Sequence, residues 1–131
     1  MSGMRRVILI LAVCAVAMNM QFRPAGASGN AQLVQFASCT GRLSAQMEFQ
    51  WMFDGAASEL TATHRAAMIE LIDAIIAPGD GRDVLYWRLS AKRAQAALLT
   101  RATFNDDTAD AAWAARTATR LADECASLIL G

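Results

Sequence analysis

Few residues in this chain could carry out chemistry. His64 is the only histidine among 131 residues, so acid–base catalysis or transition-metal binding would pass through it. Met68 follows one helical turn later on the same face, and Met47 and Met52 belong to the preceding apolar segment. Imidazole with thioether suits copper in an oxidising compartment, and the same pair serves as axial haem ligands in some helical bundles. The pattern goes no further. No Cys-x-x-Cys-His is present for covalent haem, no Glu-x-x-His for a di-iron site, and no Gly-x-Ser-x-Gly for a nucleophilic serine. Asp106, Asp107 and Asp110 lack the spacing of a calcium loop and read as helix-capping residues. Methionine in a bundle is usually gap filler. The expectation is a non-enzymatic chain without a cofactor, with His64 at a core or boundary position. The alternative is a metal- or haem-binding bundle using His64 with Met68 or Met47.

Aromatic residues are the second possible signal. Phe49, Trp51 and Phe53 cluster where the first helical segment ends, and Tyr86, Trp87 and Arg88 lie where the third begins. Exposed aromatics beside arginine mark contact surfaces. Trp51, Phe53, Tyr86, Trp87 and Arg88 are therefore expected to share one end of the molecule, as a patch for a protein or a small apolar ligand. Closure of the core is the bland alternative.

The elements that position these residues begin after a leader. Arg5 and Arg6, the apolar run Val7–Met18 and the small-x-small site Ala25–Gly26–Ala27 have the three-part pattern of a secretory signal peptide. The run is short of the about 20 residues a membrane span needs, so removal of residues 1–27 is expected, with an uncleaved anchor as the alternative. Cys14 resembles a lipidation site, but Val13 stands where such signals carry a small residue. The expected compartment is the periplasm or beyond, and the abundance of arginine and alanine, with their GC-rich codons, points to a bacterium. The whole chain has 12 basic and 12 acidic residues. Losing Arg5, Arg6 and Arg23 leaves an acidic remainder, so neither nucleic acid nor an anionic membrane is an expected partner. No stable membrane insertion is expected once the leader is gone.

Residues 28–131 make one domain by length, with four helical segments separated by clear breaks. The first spans about Ala31 to Met52, with the stripe Leu33, Phe36, Thr40, Leu43, Met47 and Trp51. A second stripe of small residues, Ala37, Gly41 and Ala45, predicts close approach of a neighbouring helix, because glycine otherwise costs about 1 kcal/mol in a helix interior. The second segment spans about Ser58 to Ala77, with Leu60, His64, Met68, Leu71 and Ile75 on one face. The third spans about Arg82 to Phe104, capped by Asp80. Val84, Trp87, Ala91, Ala94 and Leu98 form its inner stripe, widened by Leu85 and Leu89, with Arg88 and Lys92 on the wet face. The fourth starts from Asp107 and carries Ala114, Ala118, Leu121, Cys125 and Leu128 at 4-3-4-3 spacing.

Short connections make consecutive helices antiparallel neighbours, which predicts an all-α up-down-up-down four-helix bundle. In that arrangement Cys39, about two turns into the first helix, and Cys125, near the end of the fourth, stand at the same level. A Cys39–Cys125 disulfide is therefore expected in an exported chain.

Overall fold

The computed structural model describes residues 25–130, all of it helix and short connections. The helices are α1 (Ala25–Phe53), α2 (Gly55–Ile75), α3 (Gly81–Phe104) and α4 (Thr108–Leu130). The expected leader, residues 1–27, and Cys14 fall outside the described residues, apart from residues 25–27, which lie in α1. None of the described helices is long and apolar enough to cross a membrane.

The breaks lie where turn chemistry placed them. Asp54 ends α1 and caps α2, its Oδ1 accepting from the Ala57 N–H at 3.0 Å. Asp107 Oδ1 accepts from the N–H groups of Ala109 and Asp110, which starts α4. Asp80 departs from expectation. Its side chain makes no hydrogen bond into α3 and instead accepts from the Ala77 N–H at 3.1 Å, closing the turn in which Gly79 takes a φ of +102°.

Helix α1 is the centre. From Ala37 to Ala45 it is buried almost all round, with only Ser38 and Arg42 half-covered. Its small-residue stripe faces α3 at backbone distance. A Cβ on Gly41 would overlap the Arg88 carbonyl oxygen and lie 2.9 Å from the Arg88 carbonyl carbon and 3.0 Å from the Lys92 nitrogen. The expected close approach is therefore present, and α3 is the helix that makes it.

Two core clusters join the helices through α1. Leu33 and Ala37 pack with Ile72 of α2 and Val84 of α3, with Phe36, Ile76 and Trp87 around them. Cys39 and Leu43 pack with Met68 of α2 and Cys125 of α4. The Cys39 and Cys125 sulfur atoms are at disulfide distance, with Cα atoms 5.3 Å apart. The helical levels of the two cysteines thus meet as expected.

One expected contact is missing. Helices α2 and α3 have no Cα pair within 8 Å, although consecutive in the chain; α1 lies between them. This changes which faces are inside. On α2 the buried residues are Ser58, Thr61, Met68 and Ile72, while Leu60 and Ile75 from the expected stripe are 60% and 40% exposed. On α3 the buried residues are Val84, Gln95 and Leu99, and Leu85 and Leu89 are exposed. Helix α2 has α1 as its main neighbour, and α3 packs on α1 and α4 but not on α2, so each buries a narrower face than expected. Leu85 and Leu89 look towards the side where α2 would have stood.

Candidate functional site

The residues with possible metal chemistry do not converge. Met68 is fully buried against Cys39, Leu43 and Cys125. His64 is half-buried and lines a cleft of about 250 Å³ between α1, α2 and α4, beside Gln46, Gln50, Thr61 and Asp123. Met47 lines a different groove, with Arg88 and Leu89. The structure thus parts Met47 from His64, and the cleft beside His64 is mixed: Leu43, Leu60, Ala122 and Ala126 line it together with the carboxamides, hydroxyls and one carboxylate. Among the described residues no group of three His, Cys, Asp or Glu side chains is placed to hold a metal ion.

The expected aromatic patch is divided. Trp51 and Phe53 are 62% and 60% exposed at the end of α1. Tyr86 is exposed near the start of α3, and Trp87 is half-buried against the cluster of Leu33, Ala37, Ile72 and Val84. Val84 packs beside Leu33 and Ala37, and Arg88 lies against Gly41, so α3 pairs with α1 in the same direction. Tyr86, Trp87 and Arg88 therefore flank the first half of α1. Trp51 lies ten residues beyond Gly41, about 15 Å along the helix. The expectation that both groups share an end is corrected: two turns separate α1 from α3 and reverse the chain twice, which brings the C-termini of the two helices together.

What stands at the far end of α1 is a different set. The last turn of α1 exposes Trp51, Met52 and Phe53, and Phe104 is exposed in the last turn of α3. Phe49 and Phe53 pack as a tilted pair with ring centroids 4.7 Å apart. Between the two helices lies a cavity of about 310 Å³ bordered by Ala45, Phe49, Met52, Ala96 and Leu99. Trp113 of α4 belongs to the same end, with the Arg101 guanidinium 5.1 Å from its ring centroid. Arg101 also pairs with Asp110, which accepts from Asn105 as well. The hydrogen bond from Arg101 holds the Asp110 carboxyl below its ordinary 3.8, desolvation opposes it, and the Arg101 charge and the Asn105 amide add to the lowering. Phe104 and Trp113 carry no signal in the sequence, since each stands there as a single aromatic residue, and Met52 reads only as part of the first apolar segment. Their shared end appears only when the helix directions are assigned.

The missing α2–α3 contact opens a second feature. A groove of about 210 Å³ runs over α1, floored by Gly41, Ser44 and Met47. Arg65 of α2 stands on one side and Leu85, Arg88, Leu89 and Lys92 of α3 on the other. Arg65 Nε donates to Ser44 Oγ at 2.7 Å, and Lys92 Nζ to Glu48 Oε1 at 2.6 Å. Arg88 and Lys92, expected on an open wet face, are half-buried here. Arg65 was not singled out from the sequence; its part in the groove depends on α2 and α3 standing apart.

No family model, curated protein or solved structure matches this chain.

Proposed function

We propose that this is a small exported helical protein without enzymatic activity, working as a binding module. In this reading the leader is removed, the remainder is an up-down-up-down bundle in an oxidising compartment such as a bacterial periplasm, and the Cys39–Cys125 staple persists there. The observation that carries the proposal is the apolar end. Trp51, Met52, Phe53 and Phe104 are all at least 60% exposed, beside a cavity bordered by Phe49, Met52 and Leu99. Large exposed apolar residues gathered in one place, with a recess between them, suit capture of an apolar side chain from a protein partner.

Site-specific photocrosslinking in the native cell tests this. A benzophenone side chain at Trp51, Phe53 or Phe104 is expected to trap one and the same partner, and at Arg116 on the exposed face of α4 to trap none. Equal yields at all four positions would remove the apolar end from the proposal. The metal- and haem-binding alternative has its own test in the spectrum of the purified protein: a Soret band, or stoichiometric copper lost in His64→Ala, would replace the present reading.

A further inference from the structure

We propose that the groove between α2 and α3 docks the side chains of an acidic amphipathic helix from a protein partner, the helix itself lying across the groove's rim. The proposal concerns a different surface from the apolar end and does not rest on it.

Charge comes first. Arg65, Arg88 and Lys92 border the groove with Glu48 as the carboxylate among its lining residues. Glu48 pairs with Lys92, and among the described residues neither Arg65 nor Arg88 has a carboxylate within 4.0 Å. Arg88 and Lys92 are like charges one turn apart on α3, a spacing that disfavours the isolated helix. They stand in a chain whose residues after the leader carry more acid than base. Glu48 answers Lys92 alone, and the two guanidiniums left without a carboxylate are what an acidic ligand would complete, which points to recognition.

Shape narrows the occupant. Leu85 and Leu89, also one turn apart, are 54% and 42% exposed along the same wall. The groove thus offers an apolar row beside a cationic row, both at helical spacing. The complement is a helix with leucine-like residues at i and i+4 and carboxylates on the adjoining face. An extended strand would gain nothing, because the walls are helices whose backbone groups are already paired. A small free anion would satisfy the cations and leave both leucines in water. The Ser44–Arg65 hydrogen bond steadies one guanidinium in place, which lowers the cost of ordering it on binding.

The probe is a synthetic 18-residue helical peptide with leucine at i, i+4, i+7 and i+11 and glutamate on the flanking positions. Its control replaces every glutamate by lysine. Each is titrated into the ¹⁵N-labelled, disulfide-intact protein. The glutamate peptide is expected to shift the amide resonances of Arg65, Leu85, Arg88 and Lys92, with affinity falling as salt rises. Arg65→Gln with Arg88→Gln is expected to weaken binding about tenfold. Leu89→Ala is expected to weaken it at unchanged salt dependence. Arg65→Glu with Arg88→Glu, which reverses the sign of the groove's net charge, should bring the lysine peptide into the groove, an exchange that damage to the fold could not produce. Shifts confined to Trp51, Phe53 and Phe104, equal binding of both peptides to the wild type, or no shifts at millimolar peptide would each overturn the proposal. Self-association through this groove, seen as a concentration-dependent mass in sedimentation that Arg88→Glu abolishes, would overturn it in favour of a second copy.

Discussion

Helices α3 and α4 are held to α1 by different means. The α1–α3 contact is broad and made at backbone distance: the Ala37–Gly41–Ala45 stripe lets the Arg88 carbonyl come down onto α1. Helix α4 rests on α3 through the buried Ala114 and Ala118 and meets α1 mainly around Cys125. Its further ties are a buried amide and a cation. Gln95 Nε2 donates to the Ala118 carbonyl at 2.9 Å, and Arg42 Nη1 lies 4.0 Å from Cys125 Sγ. One helix is seated by surface fit; the other is fastened at a few points. A contact spread along a stripe fails as a whole when one residue grows. A fastened helix detaches when its fastener goes.

Removing the fastener should have the largest effect. The cysteines are 86 residues apart, and a loop of that length corresponds to about 4–5 kcal/mol in the chain-entropy account of disulfides. Cys39→Ser with Cys125→Ser is expected to lose most of that in urea unfolding. Hydrogen exchange should show α4 deprotected first, with the α1–α3 amides retaining theirs. Uniform deprotection would show that the two regions form one cooperative unit.

Gly41→Ala attacks the other contact. Helix propensity alone would favour alanine by about 1 kcal/mol. The new Cβ would meet backbone atoms, which cannot rotate away, so a net loss of about 2–3 kcal/mol is expected by chemical denaturation. A neutral or stabilised variant would mean that α1 and α3 do not approach this closely.

Gln95 sharpens the account of how α4 is held. Its side chain is fully buried, and its Oε1 has no hydrogen-bond partner. Methionine has similar length and volume and removes the orphaned oxygen together with the bonds that Gln95 Nε2 donates to the Ala118 carbonyl and to Gln46 Oε1. Gln95→Met is expected to be close to neutral, within about 1 kcal/mol, because relief of the unsatisfied buried acceptor offsets the loss of two neutral hydrogen bonds. A larger loss on thermal unfolding would instead make the Gln95–Ala118 bond a principal fastener.

The smallest effect concerns the α3–α4 turn. Asp110 is held below its ordinary 3.8 by Arg101. A depressed carboxyl contributes stability above its unfolded pKa and loses it as pH falls through its folded value. The contribution should therefore begin to fall below about pH 4 and be gone once pH is under the folded value, and Arg101→Ala should return the Asp110 titration, followed by NMR, towards the ordinary value. An unchanged titration would leave Asn105 and the α4 N-terminus as the controlling groups.

Much of this was present in local sequence. Asp54–Gly55, Pro78–Gly81 and Asn105–Asp107 divide the chain into the four helices because turn and cap chemistry acts over a few residues. The spacing of Ala37, Gly41 and Ala45 announced a close neighbour, and the levels of Cys39 and Cys125 announced their meeting. Counting two turns returns α3 to the direction of α1 and brings Phe104, not Tyr86, to the end that carries Phe53; the expected aromatic patch ran against that count. Tertiary structure alone decided which edge of each apolar stripe is inside. Periodicity identifies a helix with a broad apolar face, but burial depends on how many neighbours that face meets. Because α1 stands between α2 and α3, Thr61 is buried where Leu60 was expected, Leu85 and Leu89 remain in solvent, and Arg65, Arg88 and Lys92 line one groove. No local signal carries that information, since it arises from the mutual placement of three helices far apart in sequence.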